Sequence, residues 1–296
     1  MTFPEIKAFG CCHEVFGTQK VLVNALEDIC GIANADRDEM KVNVLSVNHF
    51  TWFTEAKYRD IDLFEVYSKY VDKYAETGTP VQADQNWMNS VLRCREKVKF
   101  DLFRRYGYIA AAGDRHLAEF CPGDWYLKSP EQAADWEFTL TPVSWRKEDL
   151  QKRLERSKRL LSGEESFKIE STGEEGVHQI RALLGLCDLV TNVNIPNRGQ
   201  IPNLPMDCVV ETNAVFSANS VRPVFAGAVP KEIYPLVAKA CGQQEEVAQA
   251  CHNRDLDAAF RVFANDNLVK LDLPDAKALF DEMVSNTKDY LQEYFH

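Results

Sequence analysis

The sequence predicts an α+β fold, mixed and rich in helix. Apolar residues recur at helical spacing over most of the 296 residues. Two runs only, Val42–Val47 and Asp207–Glu211, are rich in β-formers. The G-x-G-x-x-G turn that opens a dinucleotide-binding βαβ unit does not occur in the sequence.

Composition narrows the function classes. A hydrophobic content of 45% can build a sizeable core. The formal net charge of −11 argues against nucleic-acid binding, which needs a basic face. Nine cysteines, odd in number and irregular in spacing, read as reduced thiols rather than a disulfide framework. The first residues lack a basic then apolar signal-peptide pattern. No apolar run approaches the roughly 18 residues of a membrane span. Together these predict a soluble cytoplasmic protein that contacts neither nucleic acid nor membrane.

Each element has its own signal. Phe9–His13 is short and apolar and ends in Cys11, Cys12 and His13. Gly17-Thr18 opens a helix with Val21, Leu22, Ala25, Leu26 and Ile29 on one face, closed by Gly31. Asn34–Lys41 is a polar loop, and Val42–Val47 a strand that delivers Asn48 and His49 at its end. Asp62 starts a helix with Glu65 as its capping partner, packing Leu63, Val66, Tyr67, Tyr70, Val71 and Tyr74 before Gly78-Thr79-Pro80 ends it. A long helix is expected from about Asn86 to Tyr106, stopped by Gly107, with Arg93, Arg95, Glu96 and Lys97 on a solvated face.

The second half follows the same logic. Ala110–Gly113 lets a backbone approach closely, and Asp114 then reads as an N-cap with Arg115 and His116 in the first turn. An Arg at the positive end of a helix fits a binding role equally well. Arg146–Leu161 is a charged, exposed helix, and Gly163–Gly173 a polar, mobile stretch. Val177, Ile180, Leu183, Leu184 and Leu186 mark a buried helix. Thr191–Pro205 is a loop dense in Asn and Pro, whose amides suit both sugar hydroxyls and ordinary turns. Three helices follow from about Pro230; the last has Pro274 in its first turn after Asp272 and buries Leu279, Phe280 and Met283.

The chemistry concentrates at Cys11-Cys12-His13 and at Asn48-His49. Thiolate and imidazole are ligands for a divalent transition metal. The side chains of adjacent Cys12 and His13 diverge on regular backbone. A metal is therefore better held by Cys12 from one segment and His49 from another, with His13 left for proton transfer. Two protein ligands leave positions open for substrate, as catalysis requires. The same cysteines also fit an ordinary core. The P-loop, H-E-x-x-H, G-x-S-x-G and C-x-x-C patterns do not occur.

Gly10-Cys11-Cys12-His13-Glu14-Val15-Phe16-Gly17-Thr18 and Val47-Asn48-His49-Phe50-Thr51-Trp52 resemble glycoside hydrolase family 4. So do Asn192–Pro205, Val209-Val210-Glu211 and Phe263–Val269, in order along essentially the whole chain. The first motif and Gly113-Asp114-Arg115-His116-Leu117-Ala118-Glu119-Phe120 are most similar to the α-galacturonidase branch, less to the branches acting on 6-phosphoglycosides.

The resemblance implies chemistry outside the two-carboxylate scheme of most glycosidases. In that family NAD oxidises the C3 hydroxyl, which acidifies the C2 hydrogen. A base removes it, a divalent metal, usually Mn2+, stabilises the charge, and the glycosidic oxygen leaves by elimination. Water then adds and the reduced cofactor restores the hydroxyl. By the same resemblance Cys12 and His49 are the metal ligands, His13 protonates the leaving group and Asp114 is the C2 base. Asn48, His116 and Asn194 contact the sugar, and Arg115 or Arg198 holds a uronate carboxylate bidentately.

The implied fold is the substrate- and metal-binding domain of that family, related to the C-terminal domain of lactate and malate dehydrogenases. It is expected to fill residues 1–296, with the N-terminal dinucleotide-binding domain of roughly 150 residues absent from this chain. A fragment of a longer protein, a separate NAD-binding chain, or a remnant that binds metal and sugar without turnover would each explain this. The resemblance implies an α-galacturonide or related α-glycoside as substrate, and a homo-oligomer. The alternatives are a non-catalytic binding module, an α-galactosidase or α-glucosidase of the same family, and a 2-hydroxy-acid dehydrogenase relative.

Overall fold

The computed structural model describes residues 6–80, 93–167 and 175–294. Strands β1 (Met40–Leu45), β2 (Trp52–Tyr58) and β3 (Ile61–Asp62) form an antiparallel meander, and β4 (Ile109–Ala110) pairs with β2 on the edge opposite β1, Trp52 opposite Ala110. A second antiparallel sheet comprises β5 (Leu189–Pro196), β6 (Val209–Ser217) and β7 (Ser220–Pro223). The sheets are tied where the site forms: the Glu211 N–H donates to the Ser46 carbonyl at 2.7 Å, and Asn213 Nδ2 to the Val42 carbonyl at 2.6 Å.

Helix α1 (Glu14–Cys30) starts three residues before the Gly17 expected from sequence, so Glu14 occupies its first turn. Gly31 ends it as expected, at φ 71°, and Ile32 N–H returns to the Leu26 carbonyl at 3.2 Å. Helix α2 (Leu63–Tyr74) opens on Asp62, whose carboxylate accepts the Phe64 N–H at 2.8 Å. The two helices pack Val15, Leu22, Leu26, Val66 and Tyr67 against Val44 and Phe53 of the first sheet. A larger core gathers Phe50, Trp52, Leu117, Tyr126, Val210 and Val237.

Several expectations are corrected. The helix expected from Asn86 is α3 (Lys97–Tyr106); residues 86–92 lie outside the described range. Residues 93–96 are not helical, and Glu96 has φ 62°. Arg93, Arg95 and Lys97 do not form a solvated face but gather round Glu137, at 2.6, 3.2 and 3.8 Å. Helix α4 (Asp114–Phe120) is capped by Gly113, and Asp114 is already its first turn. Helix α5 (Pro130–Asp135) leads to α6 (Val143–Ser162), which buries none of its residues, as its charge predicted. Residues 168–173 of the polar stretch lie outside the described range.

Of the large residues expected to bury helix α7 (Gly176–Leu183), Leu183 alone packs, half-buried, against the second sheet. The helix meets Val193, Ala214 and Phe216 through Ala182, while Val177, Ile180, Leu184 and Leu186 are exposed. A small contact residue lets the helix lie close to the sheet, and Val177 and Ile180 splay outward. Residues 191–196, expected as loop, belong to β5, paired to β6 with Asn192 opposite Asn213 and Asn194 opposite Glu211. Asn is a poor strand former in water, but here its amides are used in the interior. The remainder of the loop is held by Asn197, whose Nδ2 lies 2.9–3.1 Å from the carbonyls of Ile201, Leu204 and Pro205.

The three expected C-terminal helices are α8 (Tyr234–Asn253), α9 (Leu256–Ala264) and α10 (Leu273–Asn286). Asp272 caps α10 and Pro274 sits in its first turn, as predicted. Its buried residue is Ala276; Leu279 and Met283 are exposed, and Phe280 contacts Phe260 and Phe263. Among the described residues no helix is long and apolar enough to cross a membrane.

Candidate metal and substrate site

Four segments converge on one site. The approach to α1 supplies Cys12, His13 and Glu14; the turn after β1 supplies Asn48 and His49; α4 supplies His116; β5 and β6 supply Asn192, Asn194 and Glu211. The first segment is anchored by a two-way backbone bridge, Gly10 N–H to the Asn194 carbonyl at 2.9 Å and the reverse at 2.8 Å. A Cβ on Gly10 would lie 3.2 Å from Asn194 Cβ, so glycine permits this approach.

Glu14 is the hub. Its Oε2 accepts the Gly113 N–H at 2.8 Å, and its Oε1 lies 3.5 Å from His13 Nε2 and 3.6 Å from His116 Nε2. The His49 and His116 rings are 4.3 Å apart between centroids, and His116 Nδ1 lies 3.5 Å from Glu119 Oε2. One ligand atom from each of Glu14, His49 and His116 lies within 4.8 Å of the others. Two imidazoles and a carboxylate suit a divalent transition metal with open positions. Glu119 orients His116 as an outer partner does in such sites.

The electrostatics agree. Burial opposes the charge on Glu14, but the Gly113 N–H and the charges of His116, His49 and His13 outweigh it, holding its carboxyl below the usual range. Burial, then the neighbouring His116, lowers His49, which favours the neutral imidazole a metal needs. Burial raises the Cys12 thiol, as does the Glu211 charge, while the Glu14 N–H and the Asn48 amide lower it. A thiol so placed ionises readily only with a cation beside it.

A polar frame lies beneath. Glu211 is 1% exposed; its Oε1 accepts from Asn192 Nδ2 at 2.6 Å and its Oε2 from Asn48 Nδ2 at 3.2 Å. Asn192 Nδ2 also reaches the Cys12 carbonyl at 3.2 Å. Burial pushes Glu211 up to about 7, against the amides of Asn192, Asn48 and Asn194. The β1 turn above this frame is strained, with Ser46 at φ 121° and His49 at φ 62°. The Oδ1 atoms of Asn192 and Asn194 are buried and accept no hydrogen bond.

The structure thus brings Cys12, His13, Asn48, His49, His116 and Asn194 into one neighbourhood. It does not bring Asp114 there. That carboxyl is 0% exposed, accepts the Lys99 N–H at 3.0 Å, and is pushed up by burial and by Glu96. It caps the N-terminus of α3 rather than facing substrate. The Arg115 and Arg198 guanidinium groups are engaged elsewhere: Arg115 donates to Thr141 Oγ1 at 3.0 Å, and Arg198 pairs with Asp207. Glu14, Asn192 and Glu211 were missed from sequence. The available signal was a carboxylate at 211 interrupting the apolar face of a β-rich run.

The model of the family 4 glycosyl hydrolase C-terminal domain matches residues 44–269. This chain belongs to glycosyl hydrolase family 4. The α-galacturonidase of Thermoanaerobacterium saccharolyticum is 61% identical over 289 residues, 98% of this chain and 62% of that protein. The α-galacturonidase of Bacillus subtilis is 48% identical over 95% of this chain and 62% of its own length. Among solved structures, a putative glucosidase, LplD, from Bacillus subtilis superposes with a TM-score of 0.88 at 47% identity, covering 95% of this chain and 64% of that one. A 6-phospho-α-glucosidase from gut microorganisms, in complex with NAD and Mn2+, shares the fold at a TM-score of 0.67 and 17% identity, over 95% of this chain and 60% of that one. The family 4 domain is thus the α+β fold expected, and the chain spans about 62% of the length of these curated relatives.

Proposed function

We propose that this chain is the substrate- and metal-binding part of an NAD- and divalent-metal-dependent α-galacturonidase. The observation that carries the reading is the convergence of Glu14, His49 and His116 from three segments beside Cys12, in a chain 61% identical to an α-galacturonidase. The donor set fits Mn2+ or a similar ion: one carboxylate, two imidazoles and a thiol within the same electrostatic neighbourhood. When bound, such an ion supplies positive charge against the negative charge that develops at the sugar as a proton is removed.

The chain's own residues do the rest. Glu14 gathers the three histidines, and Glu211 fixes Asn48 and Asn192 beneath Cys12. The unpartnered Oδ1 atoms of Asn192 and Asn194 accept sugar hydroxyls. His13, whose side chain is 67% exposed, stands at the open side and donates the proton to the leaving oxygen. NAD is proposed as the hydride acceptor. No residue described here is a glycine-rich phosphate turn, so none is assigned to NAD and no step is derived through it. All nine cysteines are free thiols, which supports the cytoplasm as the working compartment.

The test has two parts. Calorimetric titration with Mn2+ should show one site, weakened at least about 10-fold in His116→Ala, since even outer partners of a ligand cost about that much. The chain is then incubated with an aryl α-galacturonide, Mn2+, a thiol reductant and NAD. Phenol release that needs both Mn2+ and NAD supports the glycosidase. Tight Mn2+ binding without release makes the chain a non-catalytic binding module, and no Mn2+ binding sinks both readings.

A further inference from the structure

A second group of ligand-bearing side chains lies outside the sugar site. Cys94 and Glu96 precede α3, and Asp114 opens α4. One ligand atom from each of the three lies within 4.8 Å of the others. Acidic groups gather on many surfaces without an ion, but here the interior adds a second sign. Asp114 is 0% exposed; its Oδ1 accepts the Lys99 N–H, and its Oδ2 is buried with no hydrogen-bond partner. The hydroxyl of Tyr67, on α2, is likewise buried and unpartnered, and it stands in the field of Glu96, Asp114 and Cys94. Buried polar atoms are nearly always satisfied, so two of them at one cluster point to a ligand.

Charge says what kind. Lys99 is buried, with its Nζ 2.5 Å from Glu96 Oε2. With both carboxylates ionised, this one ammonium leaves one negative charge uncompensated in the interior. Burial and Glu96 accordingly push Asp114 up, and burial with the two carboxylates pushes the Cys94 thiol up. A thiol so placed gives up its proton to a metal cation. That loss makes the excess two negative charges, which one dication cancels.

We infer that Cys94, Glu96 and Asp114 hold a Zn2+ ion, with the Tyr67 hydroxyl facing its fourth position. The ligand atoms of a tetrahedral zinc stand about 3.5 Å apart, so the three close by about 1 Å. Lys99 orients Glu96 from outside the shell, as outer partners do. Cys94 and Glu96 line a cavity of about 640 Å³, through which the ion enters. The thiolate selects Zn2+ over Mn2+, which prefers oxygen. The ion ties α2, α3 and α4 together, and its site shares no residue with the sugar site.

Co2+ tests this, because a thiolate bound to it absorbs in the near ultraviolet where the free ion does not. Cys12→Ala first removes the thiol of the sugar site. Co2+ added to this variant should give the sulfur–cobalt band, and Zn2+ should displace it. Cys94→Ser in the same background should abolish the band. Asp114→Asn, which keeps an acceptor for the Lys99 N–H, should weaken Co2+ binding at least about 10-fold. Zn2+ should raise the melting temperature of Cys12→Ala more than that of its Cys94→Ser counterpart. Cys94→His, still a ligand, should lose the band but keep the larger rise, a split that misfolding cannot mimic. No band in Cys12→Ala overturns the inference. A band that survives Cys94→Ser belongs to another cysteine, and one indifferent to Asp114→Asn belongs to a site without that carboxylate; each result overturns it equally. Failure of Mn2+ binding or of phenol release at the sugar site leaves all these readouts untouched.

Discussion

Ionising Glu211 should cost the fold about 2 kcal/mol between roughly pH 5.5 and pH 8. The carboxyl is pushed up to about 7 from an ordinary 4.5, chiefly by burial. In the unfolded chain it loses its proton near 4.5; in the folded chain it keeps it until about 7. The sign follows. A raised folded value gives stability that is complete below the unfolded value and is lost as the pH climbs through the folded one. Over that interval the unfolded state runs ahead by about 1.4 decades of ionisation, and each decade is worth about 1.4 kcal/mol. Glu211→Gln is neutral throughout. It can still accept from Asn192, and it loses an acceptor for Asn48 at about 1 kcal/mol. The assay is urea unfolding of both proteins at the two pH values with a chelator present, so that metal linkage is excluded. Asp114 is also raised and contributes in the same direction to both proteins, so the readout is the difference between their slopes. Parallel stability curves for wild type and Glu211→Gln would refute the reasoning.

Two further substitutions separate structural from functional roles. Asp114→Ala should destabilise by about 1–3 kcal/mol in urea, because the buried Lys99 N–H loses its acceptor, while Mn2+ affinity measured by calorimetry stays unchanged. A large loss of metal binding with intact stability would return Asp114 to the site. Gly10→Val should do the reverse. Its side chain would press on Asn194 Cβ, the bridge that places Cys12 two residues later would shift, and Mn2+ affinity should fall several-fold with a modest loss of stability.

What could be read from the sequence was local chemistry. Gly31 and Asp62 announce a helix end and a helix start because φ freedom and a capping carboxylate act within a few residues. The strand expected over Val42–Val47 was legible for the same reason, although it runs two residues earlier, Met40–Leu45, and leaves Ser46–His49 as the turn. Partners distant in the chain were not. Arg93, Arg95 and Lys97 resemble any solvated cations until Glu137, some forty residues on, arrives beside them. Glu211 resembles a surface carboxylate until β5 pairing places Asn192 against it and the β1 turn adds Asn48. The apolar run in α7 had the right period for burial. What the period leaves open is which face meets the sheet, and the small Ala182 side was the one that fitted closely.

Asp114 shows how adjacency misleads even at a functional motif. Asp114 and His116 are two residues apart, so on a helix they point about 200° from one another. They cannot both face the metal cluster. His116 Nε2 is the one that lies 3.6 Å from Glu14, and Asp114 is turned into the core onto the Lys99 N–H. The motif is therefore a joint with two ends. One end reads the cluster through His116. The other locks α4 to α3, and the Gly113 N–H between them donates to Glu14 at 2.8 Å. A single backbone turn thus carries two separate contacts, one that packs two helices and one that reaches the site. This is why a residue that touches no sugar can sit inside a motif that looks catalytic from end to end.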